Sequence, residues 1–206
     1  PLEPINRKIF IFNDYTDEYF FDYVIKGYRY IFPTIARKGI GNFFNNLSKP
    51  LTVINSLAQG KTDNALASLS SFVINITVGA LGFFDVAGDE EIRHSNETFG
   101  QTLGYYGVGN GPYLVLPFLG PSTLRQFSSN IAETTVSPTG FDVFNIEDKS
   151  NIALDTQLRV TIAALKAINK RNSFSDLIQD TKTNSLDYYV SIRSYYLQNL
   201  EKNVNE

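Results

Sequence analysis

The chain holds a single histidine, His94, inside the run DEEIRHSNE. Glu90 and His94 stand four residues apart, so on a helix they share a face, with Glu91 and Glu97 close in sequence. That set could hold a metal ion, and the same residues also make an ordinary solvated acidic loop. Other reactive constellations are missing. There is no cysteine, which removes disulfides and thiolate metal sites together. No serine lies in a G-x-S-x-G turn. Gly60-Lys61-Thr62 imitates the end of a phosphate-binding loop, but the glycine that must open that loop is replaced by Asn55. In GVGNGP, Pro112 occupies the place of the third glycine of a dinucleotide fingerprint. Asn75-Ile76-Thr77 and Asn96-Glu97-Thr98 match glycosylation acceptors, a pattern many unglycosylated chains share. Catalysis has no support in these residues, and no cofactor is implied.

The distribution of charge is more informative. The 206 residues carry a net charge of −3, which argues against a nucleic-acid partner, since that would need a basic stripe. From Gly39 to Leu124 only 9 of 86 residues are charged. Asn64–Phe84 and Thr98–Leu124 contain no charge at all. Runs of this length flag a membrane span, yet the first is studded with Asn64, Ser68, Ser70, Ser71, Asn75 and Thr77, and the second holds six glycines and three prolines. A segment embedded in a membrane, or lining a path through one, suits them better than a spanning helix. The chain opens with PLEPINR, which reads as a mature or trimmed start rather than a signal peptide.

The elements that must position these residues read as mainly helical. Ile5, Ile9, Phe12, Tyr19 and Tyr23 fall on one stripe of an N-terminal helix, and Phe10, Ile11, Phe20 and Phe21 widen its apolar arc. Pro33 fits the first turn of a second helix running toward Phe44. Pro50 can open a third, with Gly60 as its C-cap. In the helix beginning near Asp63, Leu66, Leu69, Val73 and Ile76 make one face, and Asn64, Ser68, Ser71 and Asn75 the other. A solvent-facing helix usually carries Lys and Glu on its polar side. An uncharged face of Ser and Asn suits either packed protein or a narrow polar passage. Glycines punctuate residues 79–120, where Gly107, Gly109 and Gly111 alternate in a pattern of tight turns. Strand character is confined to Tyr113–Leu116. Ile152, Asp155, Leu158, Ile162 and Leu165 define a further helix, Ser173 a short turn, and Leu186, Tyr189, Arg193, Tyr196 and Leu200 a last helix.

Several segments, in this order and spacing, resemble the MlaA (VacJ) family: PLEPINRKIFIFND, KGIGNFFNNLSKPLTVINSLAQGK, SFVINITVGALGFFDVA and FGQTLGYYGVGNGPYLVLPFLGPSTLR. The C-terminal LDYYVSIRSYYLQ is similar to the family's closing helix. The resemblance covers nearly the whole chain. Tyr105-Tyr106 stand where many members have an aromatic pair including tryptophan, and Thr98 replaces a common acidic residue before Phe99. The family's N-terminal lipidation cysteine is not in this sequence.

What the resemblance implies is a single mainly α, ring-shaped domain of amphipathic helices with a Gly/Pro-rich apolar loop or hairpin. It would be embedded in the periplasmic leaflet of a Gram-negative outer membrane and lipid-anchored in the full-length precursor. Family members maintain lipid asymmetry by removing phospholipid from the outer leaflet and passing it to the periplasmic carrier MlaC, and they bind trimeric porins of the OmpC/OmpF type. On this pattern residues 1–32 form an interfacial helix, 33–125 the charge-poor membrane or channel region, and 126–206 a more polar helical end. Asn64, Ser68, Ser71 and Asn75 are candidates for the channel lining, and Asn42, Phe43, Phe44, Asn45 and Asn46 for its rim. Tyr113, Leu114, Leu116, Pro117, Phe118 and Leu119 are candidates for a hairpin at its mouth, with Gly-Pro corners at either end. Ile5, Ile9, Phe12 and Phe20 would meet the membrane interface. Two alternatives stay open: the hairpin residues plug a core beneath the ring, and the protein is a scaffold that binds porins without conducting lipid.

Overall fold

The computed structural model describes residues 2–89, 92, 94–136 and 156–205. Glu90, Glu91, Ile152 and Asp155, named above, lie outside the described residues. The N-terminal stripe is realised as α1 (Glu3–Thr16) and α2 (Asp22–Ile31), joined by one π-helical turn at Asp17–Phe21. The helical backbone continues through all three, so they act as one rod carrying a local insertion. The rod stops at Phe32, which is extended (φ −107°, ψ 115°) as the residue before a proline prefers. Pro33 then caps α3 (Thr34–Ala58).

Here the structure departs from the sequence expectation. Pro50 does not open a helix; it sits inside α3. Its ring removes the N–H that would bond the Asn46 carbonyl, a loss of about 3 kcal/mol in an isolated helix. The long antiparallel packing of α3 on α4 (Thr62–Thr77) offsets that loss. Gly60 between them adopts φ +74°, the left-handed turn for which a glycine is suited.

Beyond α4 come α5 (Val86–Asp89) and α6 (Phe99–Tyr105). The latter opens on a reciprocal cap, with Gln101 N donating to Thr98 Oγ1 (3.3 Å) and Thr98 N to Gln101 Oε1 (2.6 Å). A hairpin follows, β1 (Tyr113–Leu116) and β2 (Gly120–Thr123), paired antiparallel with Tyr113 opposite Thr123 and Leu116 opposite Gly120. Sequence pattern signals only the first strand, and the second Gly-Pro pair, expected as a corner, lies within β2. The chain closes with α7 (Leu124–Val136), α8 (Thr156–Asn184) and α9 (Tyr188–Asn205). The turn expected at Ser173 is absent: α8 runs through it, and the Ser173 hydroxyl donates to Lys170 O (2.7 Å).

α8 packs on α2 and α3, α6 on α7 and α9, and α1 on β1. The apolar core is small. Tyr113, Val115 and Tyr189 are buried together, with Ile9, Phe10, Tyr196 and Leu197 against them, where the hairpin meets α1 and α9. Among the described residues no helix is long and apolar enough to cross a membrane.

Candidate functional site

From Asn46 onward the inward residues of α3 are polar, Asn46, Lys49, Thr52 and Ser56, with the buried Gln59 as its C-cap, at helical spacings of three and four. Across from them α4 buries Ala65, Ser68, Ser71 and Asn75. The two stripes meet in register. Lys49 Nζ donates to Ser71 Oγ, and Asn64 Nδ2 donates to Ser56 Oγ (2.8 Å). At the α3 C-terminus the seam continues into α6. Gln59 Nε2 donates to Glu97 Oε2 (2.9 Å) and Thr102 Oγ1 (3.0 Å), Lys61 pairs with Glu97 Oε1 (2.9 Å), and Thr102 Oγ1 bonds Asn55 Oδ1 (3.0 Å). At the other end Asn75 Nδ2 donates to Asp85 Oδ1 (2.8 Å) while its Oδ1 accepts from Ala87 N (2.9 Å).

The outer faces are the reverse. Ser68 and Ser71 are 0% exposed, while Leu66, Leu69 and Val73 on the same helix are 63%, 46% and 50% exposed. Ile54, Leu57, Val78, Leu81 and Phe84 extend this apolar exterior. In water each exposed Å² of such surface costs about 25 cal/mol, so the arrangement suits apolar surroundings. Ser68, Ser71 and Asn75 of α4 are buried on the side facing α3, where Lys49 bonds Ser71, and Asn64 is half-buried.

Some seam groups are not satisfied by protein. Both polar atoms of Asn46 and the hydroxyl of Ser68 are buried without a protein partner, which ordered water, an ion or local strain would account for. Burial pushes the Lys49 ammonium below the ordinary lysine range, with Asp85 opposing that shift. Burial, and the nearby Lys49 charge, hold the His94 imidazole below its ordinary value. Among the described residues no cluster could hold a metal ion.

The expected rim is divided. Asn42 is half-buried and donates to Phe83 O (3.3 Å); Phe43 and Phe44 meet edge to face at 5.5 Å, with Phe44 buried; Asn45 is exposed. The hairpin is divided too. Tyr113 is buried, and burial pushes its phenol well up. Leu114 and Leu116 are half-buried, and Pro117, Phe118 and Leu119 form an exposed tip in which Phe118 has φ +63°, a strained setting for a bulky side chain. Of the interface residues, Ile5, Phe12 and Phe20 are exposed and Ile9 is half-buried; Phe12 meets Phe118 edge to face at 5.3 Å.

Two residues that sequence reasoning missed hold the hairpin. Asn6 Nδ2 donates to Tyr113 O (2.8 Å) and its Oδ1 accepts from Val115 N (3.0 Å). Asn13 repeats the pattern at the tip, donating to Leu116 O (2.9 Å) and accepting from Phe118 N (2.8 Å). Seven helical residues rise roughly 10.5 Å, close to the roughly 10 Å spanned by three strand residues, so the two amides stand in for a missing third strand. The signal is present as two asparagines seven apart in an otherwise apolar stripe. The α3 stripe is equally legible, but placing a boundary at Pro50 cuts it in two.

Similarity to known proteins extends along the whole chain. A family model described as MlaA lipoprotein matches residues 1–203. An uncharacterized protein of Rickettsia bellii (strain RML369-C) is 35% identical, over 99% of this chain and 76% of its own length. A protein of Haemophilus influenzae named intermembrane phospholipid transport system lipoprotein MlaA is 30% identical, over 100% of this chain and 79% of its own. A solved structure described as the structural basis for maintenance of bacterial outer membrane lipid asymmetry superposes with a TM-score of 0.82 at 30% identity, covering 99% of this chain and 98% of that one.

Proposed function

Because the chain belongs to the MlaA lipoprotein family, we propose that it transports phospholipid and so maintains the lipid asymmetry of a Gram-negative outer membrane. In this reading the helices sit as a ring in the periplasmic leaflet. Outer-leaflet phospholipid moves along an amphipathic path through the ring to the periplasmic carrier MlaC, and a trimeric porin holds the assembly in place. No bond is made or broken, so the protein needs neither a nucleophile nor a cofactor.

The observation that carries the reading is the reversed polarity of α3 and α4. Leu66, Leu69 and Val73 face outward while Ser68 and Ser71 are enclosed. A lipid has a polar head and apolar tails, and a protein handling it inside a leaflet needs an apolar exterior beside a polar interior. The Asn46 amide and Ser68 hydroxyl add to that polar interior, with no protein group bonding them. The apolar tip Pro117–Leu119 offers surface for tails.

The test is Ser71→Asp, a charge placed in the seam, assayed for phospholipid movement in cells and for porin co-purification. Transport should fail while porin binding and helicity persist. If movement is untouched in a folded variant, the protein acts as a porin-bound scaffold and lipid passes elsewhere. Fatty acid released from phospholipid by purified protein would overturn the non-catalytic reading.

A further inference from the structure

Residues 23–62 contain no Asp or Glu but hold Lys26, Arg29, Arg37, Lys38, Lys49 and Lys61. Half of these cations are accounted for internally: Arg29 pairs with Asp176 (3.0 Å), Lys61 with Glu97 (2.9 Å), and Lys49 is buried in the seam. Lys26, Arg37 and Lys38 remain, all close to the Phe32-Pro33 corner between α2 and α3. None has a carboxylate within ion-pair distance among the described residues. The Lys26 ammonium lies 5.4 Å over the Tyr23 ring, and Arg37 Nη2 reaches only the Thr34 hydroxyl (3.0 Å).

The same corner exposes Tyr30 (92%), Ile31 (68%) and Ile35 (74%). Helical geometry explains the grouping on α2. Ile25 and Tyr28 are buried, and the Tyr28 phenol bonds Asn169 of α8 (2.9 Å). At 3.6 residues per turn, Tyr23, Lys26 and Tyr30 then lie on the side turned away from α8. The acids nearest in sequence, Asp14, Asp17, Glu18 and Asp22, line instead a cleft of about 330 Å³ against α8, where Arg171 pairs with Asp17 and Lys182 with Asp14 and Glu18.

We propose that the α2–α3 corner is a contact surface for the anionic head groups of a phospholipid leaflet. This deepens the transport reading and rests on its premise that the chain lies at a membrane. Ammonium and guanidinium groups donate to lipid phosphates, while tyrosine and isoleucine sit at the boundary of head groups and acyl chains. With a net charge of −3, the chain as a whole is not drawn to an anionic surface, so attraction must come from a local group of cations; Lys26 and Lys38 are exposed, and Arg37 is half-buried near the Tyr28 phenol. The flanking exposed aromatics at Tyr19, Phe20 and Tyr23 continue the surface along the rod.

The experiment is co-sedimentation of the full chain with vesicles of phosphatidylcholine alone, or mixed with phosphatidylglycerol, across a range of salt. Each basic residue close to an anionic surface raises affinity about fivefold, so the three together confer a preference of up to about a hundredfold at low salt. Lys26→Gln/Arg37→Gln/Lys38→Gln should abolish that preference with helicity intact by circular dichroism. Lys26→Arg/Lys38→Arg should retain it, and rising salt should erode it in the wild type. Equal binding to both vesicles, or an undiminished preference in the folded glutamine variant, overturns the proposal and leaves membrane association standing. Binding to neither vesicle overturns the membrane premise along with it.

Discussion

Replacing Asn6 by alanine is predicted to release the β-hairpin from α1. The Asn6 side chain is buried and satisfies two buried backbone groups, Tyr113 O and Val115 N. Alanine fills neither role, and water has little access because Val115 is itself buried. Leaving a buried donor or acceptor unpaired costs roughly 1–3 kcal/mol, so the loss from two is about 2–6 kcal/mol. For a chain of this size that lowers the Tm by roughly 4–24 °C. Asn13→Ala leaves Leu116 O and Phe118 N near solvent at the exposed tip, and should cost about 1 kcal/mol. Amide hydrogen exchange separates the two variants. Asn6→Ala should deprotect Val115, and Asn13→Ala should deprotect Phe118 while leaving Val115 largely slow. Unchanged exchange at Val115 in folded Asn6→Ala protein would refute the claim that the amide replaces a strand.

Three further outcomes follow from the same geometry. Ser68→Leu makes α4 more hydrophobic but should destabilise the protein by about 1–3 kcal/mol through overpacking of the seam, whereas Leu69→Asn/Val73→Asn should leave the detergent-solubilised fold within about 0.5 kcal/mol per site and weaken membrane association. Gly60 and Gly82 both have positive φ, but a Cβ at Gly60 meets nothing within 4 Å while one at Gly82 would lie 2.6 Å from Asn46 Cβ; denaturant midpoints should show Gly60→Ala costing about 1 kcal/mol and Gly82→Ala about 2–4 kcal/mol. The lowered folded-state values of Lys49 and His94 mean the unfolded chain binds those protons more tightly, so stability falls as pH drops below the ordinary values of 10.5 and 6.5. Lys49→Met should therefore match or exceed wild-type stability at neutral pH, with any gain vanishing as pH approaches 10.5, and His94→Gln should flatten the loss of stability below pH 6.5, both read from urea midpoints across pH.

The parts of the fold written in local chemistry are legible in the amino-acid sequence alone. The α4 stripe of Leu66, Leu69, Val73 and Ile76, the Gly60 terminator and the strand at Tyr113–Leu116 depend on side-chain period and backbone freedom, which neighbouring residues determine. The direction of the α4 stripe is not so determined. A period of 3.6 says that Ser68 and Leu69 point different ways, and only packing on α3, where Lys49 bonds Ser71, says which is inside. Pro50 misleads because its local preference is to begin a helix, and a tertiary contact along the whole α3–α4 pair outweighs it. Ser173 misleads for a similar reason, since its hydroxyl is absorbed by the helix it seems to end. The two asparagines seven apart on the apolar stripe are visible in the sequence, but their hairpin partners, more than a hundred residues away, are not.

The most direct test of the transport reading is mass spectrometry of organic extracts from the protein purified out of membranes, beside a folded Leu116→Asp/Phe118→Asp variant. Co-purifying phospholipid that is lost in the variant is the predicted result. Equal phospholipid in both would return the hairpin to a purely structural role, and no phospholipid in either would contradict transport through this chain.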